Sequence, residues 1–271
     1  PCWPKALSKY LFQNTNGCQR VSIFIPSGSR FFMQVSTNAI VLTSLKYGDT
    51  SLIVKAYTAS DGLKSYLLKG LLTGKKSKLR AAYFFPLTQL ELVANHKDKG
   101  TLETIREAKV KVHYKSLHTD VVKNSIVLFL AEMLGMCIQE AERDESLFNY
   151  LEYSLLWLDT HPPSPNFHSL FLLNLTKYLG FYPDTSAQQL PYFDLLEGNF
   201  SHQPTLNPMV QAENLTAFRK LLGINFDDLK TIKINKPLRR ELLKTIILYF
   251  ELHLHGFRKP KSLDVLNTVF E

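Results

Sequence analysis

Five cations, Lys69, Lys75, Lys76, Lys78 and Arg80, fall within twelve residues that hold no acid. Gly70 and Gly74 loosen the segment, and three rings follow it at Tyr83, Phe84 and Phe85. Single-stranded nucleic acids are held by cations that track phosphates and by rings that stack on bases. The five cations are therefore read as phosphate contacts. Phe84 and Phe85 are read as core. Arg106, Lys109 and Lys111 add charge on a nearby stretch.

Other chemistries find less support. The segment Gly70-Leu71-Leu72-Thr73-Gly74-Lys75-Lys76-Ser77 approaches a phosphate loop, but its glycines are four apart and none directly precedes Lys76-Ser77. Glu140, Glu142, Asp144 and Glu145 cluster where two helices should meet, the place for a solvated face or a cap. His253 and His255 are two apart on an expected helix, so they point away from each other and cannot chelate one ion. Cys137 lies in an apolar helical run and reads as a small core residue. No nucleophile stands beside a base in any recognisable spacing. The expectation is a protein that is not an enzyme.

The 271 residues are 45% hydrophobic and 21% charged, an ordinary globular balance. The net charge of +8 is uneven. Residues 33–113 hold thirteen basic and six acidic residues, whereas residues 114–271 hold fifteen basic and eighteen acidic. A basic module joined to a near-neutral one points to an anionic polymer, most simply nucleic acid. Three widely spaced cysteines exclude a disulfide scaffold and a CxxC zinc site. No apolar run reaches the roughly 18 residues of a membrane span, so no membrane partner is expected.

Hydrophobic periodicity supplies the elements. Residues 1–32 carry no sustained period and read as a non-native or disordered extension, with the natural start expected at Met33. Strands are expected at 39–46, 51–58, 63–69, 84–93 and 101–112, with hairpin turns at 47–50 and 60–62. Five short strands in about 80 residues fit a small barrel such as the OB-fold. Beyond them the period becomes helical, with helices expected at 119–142, 144–159, 166–179, 214–222 and 236–255. Residues 181–208 look irregular. The fold class is α+β: an OB-fold β-barrel over 33–113 followed by an all-α domain over 114–271.

The sequence resembles the RecO family of bacterial recombination mediators. The resemblance is carried by Ala39-Ile40-Val41-Leu42, Tyr47-Gly48-Asp49-Thr50-Ser51-Leu52-Ile53-Val54, Tyr57-Thr58, Gly62, Lys69-Gly70, Phe85-Pro86-Leu87, Leu90-Glu91-Leu92 and Ile105-Arg106-Glu107-Ala108. It continues through Leu179-Gly180-Phe181-Tyr182-Pro183 and Phe193-Asp194-Leu195-Leu196-Glu197-Gly198-Asn199-Phe200. It covers Met33 to about Phe270. It implies an N-terminal OB-fold and a helical C-terminal domain. It also implies binding of single- and double-stranded DNA, strand annealing, and partnership with RecR. The family further implies contact with the acidic C-terminal tail of the single-stranded DNA-binding protein, RecA loading as the indirect outcome, and a cytoplasmic, nucleoid-associated place of work. Many relatives carry a four-cysteine zinc site near residues 182–208. That stretch has no cysteine here, so neither metal nor other cofactor is expected.

An acidic tail calls for an apolar pocket with a basic rim, and Arg239, Arg240 and Lys244 on the last long helix are the candidates for it. The competing expectation is a protein-interaction adaptor whose barrel holds a partner and whose charge is incidental.

Overall fold

The computed structural model describes residues 12–13, 19–21, 33–73, 79–96, 101–139 and 142–270. The chain falls into two compact units, Pro1–His113 with Gln139–Phe148, and Tyr114–Ile138 with Asn149–Glu271. The expectation for residues 1–32 falls almost wholly outside the described residues. Within that stretch the structure gives two short strands, β1 (Phe12–Gln13) and β2 (Gln19–Val21).

The first unit is built on β3 (Met33–Tyr47), a strand of 15 residues. Its N-terminal half pairs antiparallel with β6 (Gln89–His96), and its C-terminal half with β4 (Ser51–Thr58). The register shifts between Val41 and Thr43. A bulge there bends the strand, so one strand serves both sides of a curled sheet. Ala39, Ile40, Val41 and Leu42 are buried in succession because both of its faces are covered at the bend. β5 (Gly62–Leu68) pairs with β4, and β7 (Thr104–Val110) pairs with β6. The edges β5 and β7 approach each other through a parallel bridge between Tyr66 and Glu103, with Leu67 N–H donating to Glu103 C=O and Glu103 N–H to Ser65 C=O. The order β5-β4-β3-β6-β7 with that parallel contact is the partly open barrel of an OB-like fold. Val54, Tyr66, Leu68, Phe84, Leu90, Leu92 and Ala94 fill it.

One expected strand starts late. Residues 84–88 do not extend β6: Ala81–Phe84 is a 3-10 turn, and β6 begins at Gln89. Pro86 has no N–H to give a ladder. Leu87 then takes a φ of 58°, costly for a leucine, which its N–H bond to Val41 C=O at 2.7 Å helps to hold.

The second unit carries helices α1 (Val121–Cys137), α3 (Phe167–Tyr178), α4 (Ala212–Leu221), α5 (Lys236–His253) and α6 (Leu263–Val269), together with most of α2 (Glu145–Thr160). Their starts are capped as the side chains suggest. Asp120 accepts from Lys123 N–H, Asp144 from Leu147 N–H, and Asn235 from Leu238 N–H. Every residue of α3 from Phe167 to Thr176 is buried, as befits a helix apolar on all sides. Tyr150 packs its ring against Phe171 of this helix, and Trp157 and Phe226 stack on its Phe167.

The all-α expectation for this half needs one amendment. The irregular stretch contains a three-stranded antiparallel sheet of β8 (Tyr192–Asp194), β9 (Asn199–Ser201) and β10 (Met209–Gln211). Three-residue strands are too short to display a period in the sequence. Asp194 organises them, accepting from Leu196 N–H, Glu197 N–H, Thr205 Oγ1 and Asn207 Nδ2. Burial pushes its carboxyl up, but these bonds outweigh that effect and leave it below the ordinary aspartate value.

Candidate nucleic-acid interface

Lys69 is exposed and directly follows β5; Arg80 is exposed and directly precedes the 3-10 turn. Between them Leu71 and Leu79 pack half-buried against the barrel core and fix both ends of the basic segment. Leu72 N–H donates to Thr50 C=O at 2.9 Å, so the segment leaves the barrel beside the β3–β4 hairpin turn. Gly70 makes that departure with a φ of 68°. Lys75, Lys76 and Lys78 lie outside the described residues.

The cations of β7 have a different setting. Its register with β6 shifts between Val93 and Ala94, which leaves Arg106 as the extra residue and turns both Arg106 and Glu107 outward. Arg106 donates to Gln34 Oε1 at 3.3 Å. Lys109 is exposed but sits directly across from Glu91, and Lys111 is half-buried. The structure thus brings Arg106 and Lys109 onto one strand among acids, while Lys69 and Arg80 flank a segment that has none.

Of the two phenylalanines read as core, Phe84 is in the barrel and Phe85 is 38% exposed. Pro86 and the strained Leu87 turn the chain between them and β6, so adjacent rings part company.

Sequence reasoning missed the outer face of the β3–β4–β5 meander. Leu45, Ile53 and Leu67 form one cross-strand row on it. Leu45 is 63% exposed, and Tyr47, two residues further along β3 and opposite Ser51, is 57% exposed. Exposed Lys55 lies beside the row, opposite Thr43 and Ser65. The signal was present in the alternation of β4, where Ile53 and Lys55 share the face opposite to buried Leu52, Val54 and Ala56. Apolar residues on that outer face do not announce exposure in a sequence.

The helical unit holds a second feature. Pro165, Leu243, Leu266 and Phe270 line a cleft whose cations are Lys236, Arg239 and Arg240. Arg239 donates to Ile234 C=O at 3.0 Å. His168 also lines the cleft; it is 5% exposed, and its Nδ1 has no hydrogen-bond partner. Lys244 does not reach the cleft and instead pairs with Glu241 at 2.7 Å.

The remaining chemical candidates are occupied structurally. Asp144 caps α2, and Glu145 pairs with Arg143 at 3.0 Å. Glu140 lies outside the described residues. His253 donates to Leu195 C=O and stacks on Phe181. Burial pushes the Cys137 thiol well up. Among the described residues no group of three or more His, Cys, Asp or Glu side chains could hold a metal ion, and no helix is long and apolar enough to cross a membrane.

Two family models match this chain: recombination protein O N terminal over residues 33–114 and recombination protein O C terminal over residues 118–264. The chain belongs to the RecO family. It is 50% identical over 238 residues to the DNA repair protein RecO of Christiangramia forsetii, a match covering 88% of this chain and 100% of that protein. The RecO of Flavobacterium psychrophilum is 47% identical over 238 residues, again 88% of this chain and 100% of the relative. That of Bacteroides fragilis is 37% identical over 243 residues with the same coverage. Membership in the RecO family assigns the chain to DNA repair and recombination. It also accounts for the order of the parts, an OB-like barrel followed by a helical unit.

Proposed function

We propose that this RecO family member is a non-enzymatic mediator that binds single- and double-stranded DNA and anneals complementary strands. With RecR it would help load RecA on DNA coated by single-stranded DNA-binding protein, working in the cytoplasm at the nucleoid. The barrel of 33–113 carries the DNA contact, through Lys69, Lys75, Lys76, Lys78 and Arg80, with Arg106, Lys109 and Lys111 beside them. The helical domain of 114–271 carries the contact with the acidic tail, through Arg239 and Arg240. The observation behind the DNA reading is the pair Lys69 and Arg80, both exposed, at the pinned ends of an acid-free basic segment on an OB-like barrel.

Salt titration of oligonucleotide binding tests it. Each phosphate contact adds about 0.7 to the logarithmic salt slope for a single strand. Replacing Lys75, Lys76 and Lys78 together by Ala should flatten that slope by about two units if all three engage. Affinity should fall about equally for all base sequences, because phosphates carry no sequence information. An unchanged slope in the folded triple variant would move the DNA path to Arg106, Lys109 and Lys111.

The outer row of exposed Leu45 and half-buried Ile53 and Leu67 favours a second reading, an adaptor that docks a protein on the barrel. An adaptor would bind DNA poorly even at low salt.

A further inference from the structure

The connection between α5 and α6 is a basic stretch without acid in the helical unit, as is 229–240 with its five cations. From Leu252 to Leu263 there is no carboxylate, and His255, Arg258, Lys259 and Lys261 are all exposed. This local charge stands out because residues 114–271 are net acidic.

The loop is held in one conformation. Phe257 and Pro260 are buried, and Leu263 is 2% exposed. Phe257 rests 5.9 Å from the Phe250 ring, centroid to centroid. These inward anchors alternate with the outward cations. Gly256, with a φ of 76°, turns the chain out of α5. Pro260 needs no hydrogen-bond partner for its nitrogen and stiffens the next peptide. Glu132 of α1 then clamps the far end. Its carboxylate accepts from Lys261 N–H at 2.9 Å, Ser262 N–H at 2.8 Å and Ser262 Oγ at 2.5 Å. A carboxylate engaged by three donors is a fixed anchor, and it makes Lys261 present its side chain from a rigid backbone.

Rigid presentation matters because ordering long side chains and loops on binding costs affinity. A planar guanidinium followed by two ammonium groups, on a loop that carries no acid of its own and meets the single carboxylate of Glu132 only at its far end, suits a run of phosphates. We propose that residues 255–261 form a second phosphate-backbone site for DNA, on the helical unit, distinct from the barrel's basic segment. The proposal rests on the DNA-binding reading above and extends it: one chain carries two separate cationic platforms and can engage two segments of backbone, which strand annealing requires.

The test uses the full chain and a labelled oligothymidylate. The variant Arg258→Ala/Lys259→Ala/Lys261→Ala leaves Phe257, Pro260 and the backbone bonds to Glu132 in place and is compared with the Lys75/Lys76/Lys78 variant. The loop variant should flatten the salt slope by up to about two units on its own, and the combined variant should flatten it further. Annealing of complementary strands should fall in the loop variant by a larger factor than single-strand binding. A loop variant with wild-type slope and annealing, beside a barrel variant that has lost both, overturns the second site and leaves the proposed function standing. Failure of the unaltered chain to bind at low salt overturns both. Tighter loop-dependent binding to phosphatidylglycerol vesicles than to DNA would assign the loop to a lipid surface and overturn the proposal.

Discussion

His168 sits beside Arg239 in the helical cleft, and burial together with that arginine's charge pushes its imidazole down to about 3. The cleft's positive charge therefore comes from Arg239, Arg240 and Lys236 rather than from His168.

A stability consequence follows from the same shift. The unfolded chain takes up a proton on His168 near pH 6.5, whereas the folded chain stays neutral there until about pH 3. The unfolded state binds more protons in that window, so stability falls with acidification, by about 1.4 kcal/mol per pH unit. His168 alone should cost about 2 kcal/mol between pH 7 and pH 5. Denaturant unfolding followed by Trp157 fluorescence at both pH values should show this loss, and His168→Leu should remove most of it. Equal pH dependence in the two proteins would mean that His168 titrates normally.

The cleft should capture an acidic peptide ending in an aromatic residue. Arg239→Glu/Arg240→Glu should weaken such a peptide by at least tenfold, and Phe270→Ala should weaken it with less effect on salt dependence, since it removes apolar floor. Lys244→Glu should change little, because Lys244 is paired with Glu241 away from the cleft. Isothermal titration with a synthetic tail peptide distinguishes the three. Strong loss in Lys244→Glu with full binding by the Arg239 and Arg240 variant would place the tail on the other side of α5.

Tyr47 should stack on an unpaired base. It is exposed, it lies two residues beyond Leu45 on β3, and the basic segment departs beside its turn. Tyr47→Ala should cost about 1 to 3 kcal/mol in single-strand binding and leave duplex binding nearly unchanged. Equal losses for both would show that Tyr47 acts through folding rather than stacking.

Around β8 to β10, Asp194 takes the organising part. Elemental analysis should find no stoichiometric zinc, and a chelator should leave the melting temperature unchanged. Asp194→Ala should destabilise the helical unit by about 1 to 3 kcal/mol, because it removes a buried carboxylate that four part-buried donors share. One zinc per chain, or a chelator-sensitive melt, would contradict this.

The barrel was legible in sequence wherever alternation and turn residues coincide, as at 51–58 and at the Gly48 and Gly62 turns. Ile105 and Ala108 of β7 betray no such period, because the bulge at Arg106 breaks it. The basic segment from Lys69 to Arg80 could be read directly, since charge density needs no geometry. The charged loop after α5 escaped notice because its cations are interleaved with Phe257 and Pro260, and only burial tells which side chains point inward.

Sequence alone determined the α+β order, the helix cap at Asp144, and the family, because these depend on residues close along the chain. Only tertiary structure decided the meeting of Tyr66 and Glu103, the separation of Lys244 from Arg239 and Arg240, and the hold of Glu132 on Lys261 and Ser262. Those relations join residues tens to more than a hundred positions apart or depend on side-chain direction, and packing of the whole unit sets them, which no local spacing encodes.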